Sequence, residues 1–167
     1  TATVYDLADQ TRCIWNGWNS ATPPTTCSWD PSTYVTAGHV GPLRYAEYNY
    51  TANGKQSSVT DADNNVSEFV YDRHDSLRYT FFPNAADGAR CTLPSGVEGA
   101  APNCPTSNGT APTYEALWYT LDGTPGGALC SGDNQVCRKR TRAAGTITYN
   151  YDALNRVSSK LASGLPT

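Results

Sequence analysis

The sequence predicts an all-β protein, a continuous twisted antiparallel sheet of repeated hairpins with disulfide-stapled loops. Three observations predict it. A short frame recurs along the 167 residues, β-prone runs flank its recurrences, and no amphipathic helical period persists. The frame has an aromatic residue first, a small polar or acidic residue second, and a residue tolerant of left-handed backbone fifth. Tyr5, Tyr50, Thr60, Tyr71, Tyr119 and Tyr151 take the first position; Asp9, Gly54, Asn64, Asp75, Gly123 and Asn155 take the fifth. Gly, Asn and Asp reach positive φ at least cost, so each unit reads as a hairpin turn.

The clearest statement of the frame runs from Tyr50 to Phe82, where units follow at steps of 10 and 11 residues. Val66 to Val70 enters the Tyr71 turn and Leu77 to Phe82 leaves it, both rich in the β-branched and aromatic residues that strands favour. Three insertions interrupt the series, at about 13–40, 83–112 and 124–145. The first is rich in Thr, Pro, Ser and Trp; the second is loop-like in Gly, Pro, Asn and Ala. Tyr114 to Leu117 holds at most one turn of helix. Thr146 to Asn150 alternates cleanly into the last unit, and 161–167 trails off in small residues.

The residues now described resemble a known family. Tyr151-Asp152-Ala153-Leu154-Asn155-Arg156-Val157 is similar to the YD repeat of Rhs-type proteins: a Tyr-Asp pair, two variable residues, glycine, arginine and an aliphatic residue. Tyr71-Asp72 and Tyr5-Asp6 keep the pair, while Tyr50 keeps the Gly54-Lys55 end and has Thr51 in place of Asp. Only Arg156 matches the motif's arginine. The resemblance implies repeats wound into a hollow β shell around a toxic cargo domain. It also implies a self-cleaving aspartyl site built on Asp-Pro with a following glycine. Asp30-Pro31 is followed by Ser32-Thr33 and stands near the amino end, so that activity is not carried over.

Length and composition bound the rest. The length suits one domain, 1–167, and the first residue Thr1 with no Met anywhere suggests a trimmed product or an excised fragment. Leu, Ile, Val and Phe make up only about one residue in seven, too few for an ordinary aliphatic core. Low charge with 11 Tyr and 4 Trp instead favours a sheet faced with aromatics. No apolar run is long enough to span a bilayer. A net charge of -3 gives no electrostatic case for nucleic acid. The one basic run, Arg138-Lys139-Arg140-Thr141-Arg142, reads as a solvated strand or loop face, with a protease-sensitive site or an anion contact as the functional alternative.

Each insertion carries two of the six cysteines, so Cys13 with Cys27, Cys91 with Cys104 and Cys130 with Cys137 is the economical pairing among the many that six allow. Disulfides place the chain outside the reducing cytosol, in a secreted or extracellular setting. The cysteine spacing lacks the two-residue gap of structural zinc. Asp61-Ala62-Asp63-Asn64-Asn65 opens like a calcium loop, but Val66 stands where that loop needs glycine, and an Asx-rich turn explains the same residues. With His39 in an insertion and His74 in a turn, no catalytic triad assembles. No catalytic residue, metal or cofactor is therefore expected.

Trp15, Trp18 and Trp29 share the first insertion with Tyr34. They read as a satellite core, or alternatively as a carbohydrate-binding or adhesive surface. The leading functional expectation is a non-enzymatic structural protein whose unpaired strand edges, at 1–5 and 157–167, join copies of itself into an extracellular fibre. A segment of an Rhs-type shell, with neighbouring repeats of a parent chain as partners, is the alternative.

Overall fold

The computed structural model describes residues 1–31, 42–84, 87–94, 101–106, 113–119 and 135–164. The protein is all-β. Among the described residues ten strands run β1 (Ala2–Tyr5), β2 (Thr11–Asn16), β3 (Leu43–Tyr50), β4 (Gln56–Asp61), β5 (Val66–Tyr71), β6 (Leu77–Phe81), β7 (Tyr114–Tyr119), β8 (Val136–Arg140), β9 (Thr146–Tyr151) and β10 (Val157–Ser163). They follow one another in sequence order in a ten-stranded sheet. The chain divides into two compact units, Thr1–Glu68 and Phe69–Thr167. Among the described residues no helix is long and apolar enough to cross a membrane.

Among the described residues six turns share one backbone pattern. The second-position N–H donates to the sixth-position carbonyl, and the fifth-position N–H donates back to the second-position carbonyl. In the first turn these bonds are Asp6 to Gln10 at 3.0 Å and Asp9 to Asp6 at 3.2 Å. The same pair of bonds recurs at Thr51, Asp61, Asp72, Thr141 and Asp152. Closing such a turn demands left-handed backbone at its fifth residue. Asp9, Asn64, Asp75 and Asn155 have φ between 58° and 62°, and Gly54 has 76°. Gly123, the fifth residue after Tyr119, lies outside the described residues.

The Thr141 turn is the one that the frame does not reveal. It has Arg140 where the frame has an aromatic residue and Ala144 at the left-handed position, with φ 64°. The third predicted insertion, 124–145, thus contains strand β8 and a repeat turn. Likewise β2 continues to Asn16 before the first insertion leaves it, and Tyr114 to Leu117 is extended within β7. Left-handed backbone costs an alanine about 1–2 kcal/mol, because Cβ crowds the following carbonyl. Ala144 is exposed, so nothing packs against its methyl. Ala144→Gly is expected to stabilise the protein by about 0.5–1 kcal/mol after the entropy cost of glycine. Denaturant melts would check this; a loss of stability would mean the turn is not held as described.

A single sheet layer must be covered to form a core, and the insertions supply the cover. In the first unit Cys13 and Trp15 alternate onto one face of β2 and are buried, with Arg44 of β3 across from Trp15; Ala46, also buried, pairs with Ile14 of the other face. The Cys13–Cys27 disulfide draws the first insertion over that face. In the second unit Tyr79 and Phe81 of β6, Ala116 of β7 and Cys91 form the buried cluster. The Cys91–Cys104 disulfide and the Thr92 to Asn103 bridge fold the second insertion so that Cys91, Leu93 and Cys104 pack on it. Cys137 is also disulfide-bonded. Cys130, its expected partner, lies outside the described residues, as do Tyr34 and His39.

Candidate functional site

Two groups of residues repeat with the turns and give the molecule its chemistry. The first is the second-position side chain. Asp6 Oδ1 accepts the N–H groups of Ala8 and Gln10 at 2.8 and 3.0 Å. Asp61, Asp72 and Asp152 accept the fourth- and sixth-position N–H groups of their own turns in the same way. A carboxylate at this position satisfies two amides that the tight reversal leaves outside the ladder, which is why the pair Tyr-Asp recurs. At the same position Thr51 accepts the N–H of Lys55 with its hydroxyl oxygen. The calcium-like stretch is therefore a turn whose Asp61 is engaged by its own backbone. Among the described residues no cluster could hold a metal ion.

Asp152 also receives Arg156 Nε at 2.8 Å, and the exposed pair matches the motif's aspartate and arginine. The backbone amide of Arg156, then its guanidinium, hold the Asp152 carboxyl below its ordinary 3.8. That contribution to stability is present above pH 3.8 and lost as pH falls through the lowered value.

The second group is the first-position side chain. All five odd-numbered strands end on a tyrosine: Tyr5, Tyr50, Tyr71, Tyr119 and Tyr151. Tyr50 donates its hydroxyl to the Thr11 carbonyl at 2.8 Å, Tyr119 to Leu77 at 3.0 Å and Tyr151 to Val136 at 2.8 Å. Each acceptor is the first residue of the preceding even strand. Each hairpin is thus lashed to the strand before it, across the edge where chain reversal would otherwise leave that carbonyl to water. Burial pushes the hydroxyls of Tyr50, Tyr71, Tyr119 and Tyr151 above their ordinary 10.0. They remain donors at neutral pH. Their contribution is full below pH 10 and is lost as pH rises through the raised values, so stability in a denaturant series is expected to fall on the alkaline side. An unchanged midpoint up to pH 11 would contradict it.

Arg140 performs the same task with different chemistry. At the first position of the Thr141 turn, its guanidinium donates to the Tyr114 carbonyl at the start of β7, at 2.5 Å, while lying 3.8 Å over the Tyr114 ring. Arg138 stacks on Trp118 at 4.2 Å and Arg142 on Phe82 at 4.5 Å. Lys139, on the alternate face, pairs with Glu115 at 3.2 Å. The basic run is therefore a row of guanidiniums laid on aromatic faces, not a freely solvated face. Arg140→Ala removes both the stacking and a charged hydrogen bond and is expected to cost about 2 kcal/mol. Arg140→Lys should recover little of it, because an ammonium has no planar face. A cost below about 0.5 kcal/mol for the alanine variant would exclude the lash.

The tryptophans gather under the first insertion. Trp15 is buried; Trp18 lies 5.6 Å from it at 58°, and Trp29 5.8 Å at 78°. Trp29 Nε1 donates to the Ala62 carbonyl at 2.7 Å. Tilted, edge-on rings form a packed knot; a flat platform for a sugar ring would need coplanar faces. Arg44, only 4 % exposed, sits across from Trp15. It donates to the Cys27 carbonyl at 3.0 Å, to Asn64 Oδ1, and to Glu47 in an ion pair. A cavity of about 570 Å3 opens beside this group, lined among others by Tyr5, Asp6, Arg12, Trp29 and Glu47. Charges of both signs line it, which gives no preference for an anionic or a cationic ligand.

No protein-family model and no curated protein matches the chain.

Proposed function

We propose that this chain is a non-enzymatic structural β-repeat protein that joins copies of itself edge to edge into an extracellular fibre. The observation that carries the reading is the state of the outermost strands. Among the described residues β1 pairs only with β2 and β10 only with β9. All seven residues of β10 are exposed, including Leu161 at 67 %. A strand with a free ladder and exposed apolar side chains is a template for another strand. The disulfides suit an oxidising environment, and a durable extracellular assembly gains from loops that cannot unravel. Negative-stain imaging, with size-exclusion chromatography under non-reducing conditions, tests it. Unbranched filaments are expected; a monodisperse monomer at high concentration would sink the reading.

A second reading has its own support. The Tyr-Asp turn with its carboxylate clamp and left-handed fifth residue is the feature on which the resemblance to YD repeats rests. On that reading the chain is an arc of an Rhs-type shell, and its edges are covered by neighbouring repeats of a parent chain. Monomers that gain no order on concentration, yet pair with flanking repeats supplied as a separate chain, would favour it.

A further inference from the structure

Resting on the fibre reading, we propose that copies join head to tail. The Tyr5 hydroxyl of one copy donates to the Val157 carbonyl of the next, and this contact sets the register between β1 and β10. The rule comes from inside the chain. Wherever the hydroxyl partner is described, the tyrosine that ends an odd strand reaches the carbonyl of the residue that begins the preceding even strand: Thr11, Leu77 or Val136. Two groups are left over. Tyr5 ends β1, is 59 % exposed, and among the described residues its hydroxyl has no acceptor and β1 no preceding strand. Val157 begins the even strand β10, is 55 % exposed, and no tyrosine-ended strand follows it among the described residues. One chain therefore carries both halves of a contact that it makes three times internally. A surface pair that is complementary between different faces of one molecule defines a heterologous contact, which closes into a ring or continues as a filament.

The internal contacts also fix the alignment. Tyr79 faces Ala116 and Phe81 faces Tyr114, which carries Tyr119 opposite Ser76, one residue before its acceptor Leu77. Arg138 facing Thr148 carries Tyr151 opposite Gln135, again one residue before its acceptor, Val136. Cys13 facing Glu47 carries Tyr50 opposite Gln10, one before Thr11. The same offset sets Tyr5 opposite Arg156 of the next copy. Val4 then faces Val157, Thr3 faces Ser158 and Ala2 faces Ser159. The bulge after Val157 is no obstacle: β2 carries a bulge at the matching place on its β1 side and still pairs with β3 in this offset.

Side chains directly opposite on adjacent strands lie close enough to be bridged. Among the described residues no cysteine is free, so none of their sulfurs competes with an introduced thiol. Val4→Cys protein is mixed under mild oxidation with Val157→Cys protein, and in parallel with Leu161→Cys protein. A covalent heterodimer is expected with the first partner and little with the second. Sedimentation velocity then compares the native chain with Tyr5→Phe, which keeps the ring and loses only the hydroxyl. Its association constant is expected to fall by about three- to ten-fold, the range for one net hydrogen bond. Cross-linking that favours Leu161→Cys, or association unchanged by Tyr5→Phe, would overturn this inference and leave the fibre reading standing. A native chain that stays monomeric over the whole concentration range would overturn both.

Discussion

Phe81→Ala is expected to destabilise the second unit by about 4 kcal/mol, in the range for deleting a fully enclosed aromatic ring. Phe81 is 2 % exposed. Its ring stacks on Tyr79 at 5.7 Å and meets Tyr114 edge-on at 6.3 Å. Neighbours so arranged cannot collapse into the vacancy without losing their own contacts, so the cavity persists and adds to the lost transfer free energy. The measurement is a urea titration of native and variant protein. The midpoint should fall with little change in slope, since the same surface is exposed on unfolding. A cost below about 1.5 kcal/mol would mean that the second insertion does not close over β6.

The second large effect is expected from the double replacement Cys91→Ala with Cys104→Ala. Sequence separation between the two is 13. By the chain-entropy model, opening a loop of that length costs about 3 kcal/mol. Cys91 is itself part of the core cluster, at 1 % exposure, and losing its sulfur loosens the cover over Tyr79 and Phe81. The variant should therefore bind a hydrophobic dye under native conditions as well as melt earlier. The combination is diagnostic: lost stability without dye binding would show that the disulfide restrains only the unfolded chain, and that the insertion keeps its place unaided. Unchanged stability would contradict the role of the staple altogether.

The fold class was legible because hairpin chemistry is local. Asp9, Gly54, Asn64, Asp75 and Asn155 could be picked out as turn residues since few side chains tolerate left-handed backbone, and each has positive φ. The two insertion disulfides, Cys13–Cys27 and Cys91–Cys104, were legible for a similar reason, each closing a short local loop. The Thr141 turn was not, because Arg140 and Ala144 fall outside the residue types that mark the others. Its signal lies in contacts remote in sequence, the Arg140 guanidinium on Tyr114. The basic run misled for the same reason: charge is visible in a sequence, while the aromatic partners Trp118, Tyr114 and Phe82 come from other parts of the chain. The role of the tyrosines that end odd strands was equally hidden, since their acceptors are backbone carbonyls on a neighbouring strand, which carry no side-chain signature.

That alternation restricts how such a chain could change in length over evolutionary time. A tyrosine at the end of an odd strand finds its acceptor because an even strand begins beside it. One strand inserted elsewhere would reverse every later strand, yet each later tyrosine would travel with its acceptor, because the two lie on consecutive strands. Only a break between an even strand and the odd strand after it parts a tyrosine from its carbonyl. The heritable unit of gain and loss is therefore that even–odd pair, and viable duplications or deletions should have their boundaries after a tyrosine-ended strand.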